Sequence, residues 1–256
     1  MHRHLDYRPP LDWVEENPFL VLEENGIIQA ALACPQDPPS VSWIRLFAAS
    51  SQKSPSVAWT TLWGDALDEL KANDVCHIAA IPLQTWFESI LGGAGFEKTH
   101  SIVMLNRDTL QPLDTGLIRG IPIRPMTFDD IPLVQQIDEE SFSPIWVNSA
   151  HYLEIAFRQA IVATVAEMNG LLVGYQISTA SPIGGHLARL AVRPNLQGNG
   201  IGSALVGDLI HQFNRRAARF ITVNTQEDNL ASLSLYRRVG FSLTGEKYPI
   251  YQLLSF

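Results

Sequence analysis

The feature that most constrains the fold is an internal repeat in the order of predicted elements. In each half, two apolar runs flank a turn that contains Asn-Gly, a pattern typical of a β-hairpin. The runs lie at residues 19–22 and 27–33 in the first half and at 163–167 and 171–178 in the second. Each hairpin is followed by a strand, a helix, a strand, a helix, a Gly-Phe pair and a final strand. A chain of 256 residues has room for two domains of common size, so we infer a tandem, diverged duplication.

A glycine-rich segment joins a predicted strand at 187–192 to a predicted helix that ends at Phe213. Its sequence is Gln197-Gly198-Asn199-Gly200-Ile201-Gly202, followed by Ser203. Alternate glycines allow the backbone to approach a ligand closely, and the N–H groups and dipole of a helix N-terminus favour an anion. A P-loop would need Gly-Lys followed by Ser or Thr, and a dinucleotide fingerprint would space its third glycine differently. The segment therefore predicts a pyrophosphate site of another class.

At these residues the chain resembles the GCN5-related N-acetyltransferase (GNAT) superfamily. The family's acetyl-CoA loop reads Gln/Arg-x-x-Gly-x-Gly/Ala, which Gln197, Gly200 and Gly202 match. A second family segment, Asn-x-x-(Ala/Ser)-x-x-Leu-Tyr-x-x-x-Gly-Phe, is similar to the residues from Asn229 to Phe241. The resemblance covers residues 121–256 and implies an α/β (α+β) fold with a mixed, twisted sheet flanked by helices.

Residues 123–131 resemble the strand and first helix with which such domains open. Phe142 and Trp146 follow where substrate-facing loops usually lie. Through these two aromatic residues the C-terminal domain resembles the ribosomal-protein N-terminal acetyltransferases.

The resemblance implies acetyl-CoA as the co-substrate, and no metal. Backbone N–H groups of the strand before the loop are expected to polarise the thioester carbonyl, and the loop and helix start to hold the pyrophosphate. Asn229 matches a cofactor contact, although capping the helix that begins at Leu230 is an equally good reading. The residues assigned to the cofactor are Leu190, Ala191, Val192, Gln197, Gly198, Asn199, Gly200, Ile201, Gly202, Ser203, Asn229, Ser232 and Tyr236.

Three residues are predicted to be catalytic. Tyr236 matches the family's general acid, and a phenol with a pKa near 10 is protonated at neutral pH. Asn224 stands where the ribosomal-protein acetyltransferases often have a glutamate; it cannot accept a proton but can hold a water. The base is therefore left open between His186, which can titrate near neutral pH, and Glu227 or Asp228.

Two charged groups have both a functional and a structural interpretation. Glu139 and Glu140 could line an amine pocket or simply lie on a solvated helix face. Arg215, Arg216 and Arg219 could reach the adenosine phosphate or complement the C-terminal dipole of the preceding helix.

The first copy lacks the residues that the second copy is predicted to use for cofactor binding and catalysis. Residues 50–56, between its strand and helix, contain no glycine, and Pro55 lacks an N–H donor. Leu91 stands where the second copy has Tyr236. We predict a degenerate domain at residues 1–110 that does not bind cofactor, a linker at 106–120, and a catalytic domain at 120–256.

Composition limits the possible partners. A formal net charge of -8 disfavours nucleic acid and suits an amine-bearing substrate. Two cysteines, Cys34 and Cys76, give no disulfide framework or metal spacing, and neither a secretory signal nor a membrane span is predicted. A cytoplasmic location is expected, with the oligomeric state open.

The sequence thus predicts an N-acetyltransferase that moves an acetyl group from acetyl-CoA to a primary amine. The acceptor is either an amine-bearing small molecule or a protein N-terminus. The alternative hypothesis is a non-catalytic acetyl-CoA-binding sensor or scaffold, which the absence of a glutamate at Asn224 favours and the presence of Tyr236 disfavours.

Overall fold

The computed structural model describes residues 1–3, 10–113 and 120–256. Its helices are α1 (Pro55–Ala72), α2 (Thr85–Gly93), α3 (Ile131–Ser141), α4 (Ala150–Gln159), α5 (Ile201–Arg215) and α6 (Leu230–Arg238). Its strands are β1 (His2–Arg3), β2 (Phe19–Glu24), β3 (Ile27–Ala33), β4 (Val41–Trp43), β5 (Leu46–Ala49), β6 (His77–Ala80), β7 (Phe96–Asp108), β8 (Ile123–Pro125), β9 (Val162–Met168), β10 (Leu171–Ala180), β11 (Gly184–Val192), β12 (Phe220–Gln226) and β13 (Ser242–Leu253). The predicted mixed α/β class is confirmed.

The chain forms two compact units. One contains Met1–Ser101 together with Tyr248–Phe256, and the other contains Ile102–Lys247. The last residues of the chain thus complete the first unit, and the end of β7 belongs to the second. The roles assigned to a degenerate and a catalytic domain stay predictions.

In the second unit the strands follow the order β7-β12-β11-β10-β9-β8. β11 and β12 are parallel, and the other neighbours are antiparallel. Leu187 of β11 and Val223 of β12 pack with α5 and α6 in a core that includes Phe213 and Leu233. Burying a side chain such as that of Phe213 contributes about 2 kcal/mol. The opposite face of β10 and β11 meets α3, so helices cover both faces of the sheet.

The first unit holds the order β1-β5-β3-β2 and, separately, the pairs β4-β6 and β6-β13. Its core is rich in aromatic residues: Trp59 of α1 lies edge-on to Phe47 of β5, with ring centroids 5.1 Å apart, and stacks on Trp63. α1 begins at Pro55, a position at which the missing N–H costs nothing because the first turn has no acceptor for it.

The predicted duplication is visible in the strand register. In the second unit β10 pairs with β11 as Gly174 with Val192 and Gln176 with Leu190. In the first unit β3 pairs with β5 with the same spacing of paired residues. The equivalent pairs there are Ala30 with Ala49 and Leu32 with Phe47. Phe47 is therefore the counterpart of Leu190.

Two predictions about elements need correction. The strand predicted at 41–48 is divided into β4 and β5, because the chain changes partners: Ile44 N donates to Ala79 O, and Arg45 N donates to Ala33 O, each at 2.8 Å. The predicted linker at 106–120 begins too early, since β7 continues to Asp108. Arg107, within the predicted linker, is 1 % exposed, and its Nε donates to Val239 O at 2.8 Å. Linker residues 114–119 lie outside the described residues.

Candidate active site

The parallel strands β11 and β12 pair over only part of their length. Residues 184–187 pair with residues 220–223, although β11 continues to Val192 and β12 to Gln226. Within the described part of the chain, no strand pairs with this edge of β11 beyond Leu187. The two strands therefore separate and leave a gap, called here the β11–β12 gap, that opens at Ala188.

A β-bulge lies at the point where this gap opens. Ile177 of β10 pairs with Arg189, whereas the next residue, Ser178, pairs with Leu187. Ala188 is therefore the additional residue on β11, and such a residue bends its strand and strengthens the local twist. The bulge also reverses the alternation of side chains, so that Arg189 points toward α3.

The direction of the backbone groups beyond the bulge follows from the ladder with β10. Arg193 N donates to Val173 O at 3.0 Å, and alternate residues of an antiparallel strand bond to the same neighbour. Ala191 therefore also bonds toward β10. The N–H groups of Leu190 and Val192 point into the β11–β12 gap. Of the three predicted N–H donors, these two therefore face the gap and that of Ala191 does not.

The glycine-rich segment leads from β11 into α5 and leaves several N–H groups open. Gly198 has φ 76° and Gly200 has φ 85°, a left-handed conformation that costs glycine little. The first helical bond of α5 is from Ala204 N to Gly200 O, at 2.9 Å. In the described chain, the N–H groups of residues 201–203 donate to no group, as expected for a first helical turn. These three N–H groups are called here the candidate anion site, and the side chain of Ser203 is buried.

The other members of this segment have structural contacts of their own. Gln197 Nε2 donates to Val192 O at 3.0 Å and thereby ties the segment back to β11. Asn199 Nδ2 donates to Leu196 O at 3.1 Å and to Gln197 O at 3.3 Å. A Cβ at Gly202 would lie 3.1 Å from Leu235 Cδ2, so this glycine permits close packing of α5 against α6.

Tyr236 lies on α6 and is 5 % exposed. Its ring packs against Phe241 with centroids 5.7 Å apart, and burial raises the pKa of Tyr236 above its ordinary value. Among the residues that the structure describes, none forms a hydrogen bond with the Tyr236 hydroxyl. The phenol is therefore protonated at neutral pH and has a proton to donate.

Asn229 caps α6. Its Oδ1 accepts a hydrogen bond from Ser232 N at 3.0 Å, which is the usual role of an Asn at this position. Ser232 is half-buried and lies one turn before Tyr236 on the same side of the helix. The capping role of Asn229 is thus observed. A cofactor contact from Asn229 or Ser232 stays a prediction.

His186 is held on the side of the sheet opposite α5 and α6. Its Nδ1 lies 2.9 Å from Thr222 Oγ1, and that hydroxyl donates to Gly185 O at 3.3 Å. A hydroxyl has one proton, so when Thr222 donates its proton to Gly185 O, Nδ1 donates to Thr222 Oγ1 and Nε2 is left as an acceptor. Burial lowers the pKa of His186, which keeps the ring neutral at pH 7. Asn224 follows Thr222 by two residues on the same strand, so the two side chains share a face.

The acidic alternatives for the base are placed differently. Glu227 is exposed and forms an ion pair with Lys247 at 2.6 Å. Asp228 is exposed beside it in the turn before α6. Of the candidates, His186 is the one on β11, in the last paired residues before the β11–β12 gap opens.

The remaining charged candidates have local partners. Glu140 is exposed and pairs with Arg193 at 2.5 Å, and Glu139 accepts from a glutamine one turn earlier in α3. Arg216 Nη1 donates to Gln212 O at 3.1 Å in the last turn of α5. These contacts fit the solvated-face and helix-dipole readings.

One buried cluster was missed by the sequence analysis. Asp138 of α3 is fully buried and is bonded by Arg189 of β11 and by the hydroxyl of Tyr175 of β10. The available signal was an aspartate next to Ile137 on the apolar face of a predicted helix, where a carboxylate requires a partner.

In the first unit, too, a strand separates from its neighbour, but there another strand occupies the open edge. β4 pairs with β6 and β5 does not; instead β1 pairs with the free edge of β5, with His2 opposite Phe47. The His2 ring is buried and stacks on Phe87 of α2 with centroids 4.1 Å apart. The backbone edge that is open at Leu190 is therefore covered at its counterpart, Phe47.

No helix among the described residues has the length and apolarity needed to cross a membrane. The same residues contain no group of three or more His, Cys, Asp or Glu side chains placed to hold a metal ion.

Comparison with known proteins gives a consistent result. The sequence profile described as the Acetyltransferase (GNAT) family matches residues 131–241. An uncharacterized N-acetyltransferase of Methanocaldococcus jannaschii is 30% identical over 122 residues, which are 46% of this chain and 76% of that protein. The N-alpha-acetyltransferase RimI of Mycobacterium tuberculosis is 35% identical over 92 residues, 34% of this chain and 56% of that protein. A solved tandem GNAT protein from the clavulanic acid biosynthesis pathway has a TM-score of 0.62 at 13% identity, covering 91% of this chain and 81% of that one.

Proposed function

The chain belongs to the GNAT acetyltransferase family and is an acyltransferase, and on this premise we propose that it transfers the acetyl group of acetyl-CoA to a primary amine. The acceptor is proposed to be a protein N-terminus or an amine-bearing small molecule. The name of the M. tuberculosis relative, an N-alpha-acetyltransferase, supports an α-amine.

One observation carries the proposal. The N–H groups of Leu190 and Val192 point into the β11–β12 gap, and the open N–H groups at the start of α5 begin at Ile201, after the glycine-rich segment. These two sets of backbone donors suit a ligand that has a carbonyl at one end and a pyrophosphate at the other. Acetyl-CoA has both groups.

The co-substrate supplies an activated acetyl group as a thioester, and the chain's own residues would bind it and move protons. The Leu190 and Val192 N–H groups would stabilise negative charge that develops on the carbonyl oxygen, an effect typically worth a few kcal/mol. His186 Nε2 would take the proton from the attacking amine, through a water held by Asn224. Tyr236 would donate its hydroxyl proton to the departing sulfur. The C–N bond forms, the C–S bond breaks, and each transferred proton has a named donor or acceptor.

We further propose that only the second unit binds acetyl-CoA. In the first unit β1 takes the edge of β5 that would offer the equivalent donors. The segment before α1 has no glycine and begins the helix with Pro55, so it offers fewer N–H groups to an anion. These features support the prediction of a degenerate first copy.

Calorimetric titration with acetyl-CoA tests both proposals. We expect one equivalent to bind to the native chain and none to bind to Gly200→Glu, because the variant places a carboxylate in the candidate anion site. Gly170→Glu is the matched control: Gly170 also has positive φ, at 76°, with nothing within 4 Å of a Cβ, so it carries the same strain and charge and should keep binding. Two equivalents, or full binding by Gly200→Glu, would contradict the proposals. A screen of amines by thiol release then identifies the acceptor.

A further inference from the structure

A buried ion pair joins α3 to β11 immediately beside the β11–β12 gap. Arg189 Nε donates to Asp138 Oδ2 at 2.8 Å and Arg189 Nη2 donates to Asp138 Oδ1 at 2.7 Å. This forked geometry fixes both the distance and the orientation of a guanidinium. The Asp138 side chain is 0% exposed and that of Arg189 is 14% exposed, so water competes little with the pair.

The same carboxylate collects further donors. The Tyr175 hydroxyl of β10 donates to Asp138 Oδ2, and the backbone N–H of Asn148 donates to Oδ1 at 2.8 Å. Burial alone would lower the pKa of Arg189, but the charges of and hydrogen bonds to Asp138 and Tyr175 together more than offset this, and the pKa lies above its ordinary value. The guanidinium is therefore charged, and four hydrogen bonds use every lone-pair direction of the Asp138 carboxylate.

Arg189 also holds the segment that follows α3. Its Nη2 donates to Trp146 O at 2.5 Å, and its Cζ lies 3.6 Å from the centroid of the Phe142 ring. Phe142 and Trp146 are the residues predicted to face the substrate. One side chain thus fixes both this segment and the strand that bears Leu190.

We propose that the Asp138–Arg189 pair positions the acyl-transfer site, acting through the backbone of β11 and through the segment at residues 142–149. This inference rests on the proposed function. Arg189 directly precedes Leu190, whose N–H points into the gap, and directly follows the bulge at Ala188. Anchoring the Arg189 side chain on α3 fixes which way the residues after the bulge face. It thereby fixes the direction of the Leu190 N–H. Both residues are positioning residues, because neither is assigned a contact with the reacting atoms.

A second arginine–aspartate pair provides a matched control. Arg124 of β8 donates to both carboxylate oxygens of Asp130, at 2.7 and 2.8 Å. Asp130 immediately precedes α3, whereas Asp138 lies near the end of α3. The two pairs thus hold opposite ends of one helix, and only the Asp138–Arg189 pair reaches β11.

The test uses three variants of the full chain: Arg189→Met, the double variant Asp138→Asn with Arg189→Met, and Arg124→Met. Breaking a buried pair is destabilising, whereas removing both charges together restores much of the stability. We expect Tm to fall in Arg189→Met and to recover in the double variant. The value of kcat should be at least about tenfold below native in both, because misplacement by about 1 Å can cost roughly 100-fold. Arg124→Met should lower Tm and keep the native kcat.

The dissociation constant of acetyl-CoA should change by less than about threefold, since the candidate anion site at α5 is untouched; this separates positioning from binding. Return of kcat together with Tm in the double variant would overturn the inference and leave the pair a purely structural one. Equal loss of kcat in Arg124→Met would do the same.

A second readout does not depend on turnover. Amide hydrogen exchange at residues 188–192 and 142–149 should be faster in Arg189→Met and in the double variant, and unchanged in Arg124→Met. If the native chain bound acetyl-CoA but transferred no acetyl group to any amine, the proposed function would fail. Hydrogen exchange would then decide the positioning inference alone, and unchanged exchange in the double variant would refute it.

Discussion

Replacing Tyr236 by phenylalanine removes one oxygen atom at a site where the structure allows the cost to be separated into stability and catalysis. The hydroxyl has no partner among the described residues, so its loss leaves no group unpaired, and the free energy of unfolding should change by less than about 1 kcal/mol. Loss of a general acid typically lowers the rate by about 10²–10⁴-fold, which corresponds to roughly 3–5 kcal/mol of barrier. A large kinetic effect with a small stability effect is therefore expected.

The assay measures kcat for thiol release with an amine acceptor, the acetyl-CoA dissociation constant by calorimetry, and Tm. Because burial raises the pKa of Tyr236 above its ordinary value near 10, the native hydroxyl stays protonated at neutral and mildly alkaline pH. The native kcat should therefore show no alkaline decline below about pH 10. Tyr236→Phe should bind acetyl-CoA with near-native affinity.

Tyr251→Phe is the matched control, since the Tyr251 hydroxyl donates to Glu88 at 3.1 Å within the first unit. It should lower stability by about 1 kcal/mol and leave kcat unchanged. A Tyr236→Phe variant that keeps more than about half of the native kcat would refute the proton-donor role. A decline of native activity near pH 8 would refute the argument from burial.

The remaining predictions concern His186 and Asn229. Burial lowers the pKa of His186, so the folded chain binds fewer protons than the unfolded chain below about pH 6.5. The stability of the native chain therefore falls as the pH falls through that region. The urea midpoints at pH 5 and pH 7 should differ less in His186→Gln than in the native chain. The same variant should lower kcat by about 10²-fold or more if His186 is the base, and an unaltered kcat would return attention to Glu227 and Asp228. Asn229→Ala should cost about 1 kcal/mol, measured by thermal unfolding, because Ser232 N loses its acceptor. If Asn229 also contacts the cofactor, the acetyl-CoA affinity should fall in the same variant.

The sequence predicted those parts of the fold that local patterns encode. Alternating apolar residues and Asn-Gly turns located both hairpins, and glycines marked the start of α5. The bulge at Ala188 was not predictable, because it depends on which residues of β10 pair with β11. Arg107 lies in the segment predicted to be a linker, and its contact with Val239 O, 132 residues further along the chain, cannot be seen in a local sequence pattern. The Asp138–Arg189 pair joins residues far apart in the chain, and neither residue alone indicates its partner.

The two copies show how one strand arrangement gives an open site in one unit and a filled one in the other. In both, a strand leaves its parallel neighbour after a few residues and exposes a backbone edge. An exposed edge must find hydrogen-bond partners, from the chain, from water or from a ligand. In the first unit β1 supplies them, and the His2 ring fills the space beside Phe87. In the second unit no described strand does so at Leu190, and the loop that follows has the glycines an anion needs. If the first unit binds no cofactor, as proposed, then β1 makes the backbone hydrogen bonds at Phe47 that a ligand would have to make at Leu190.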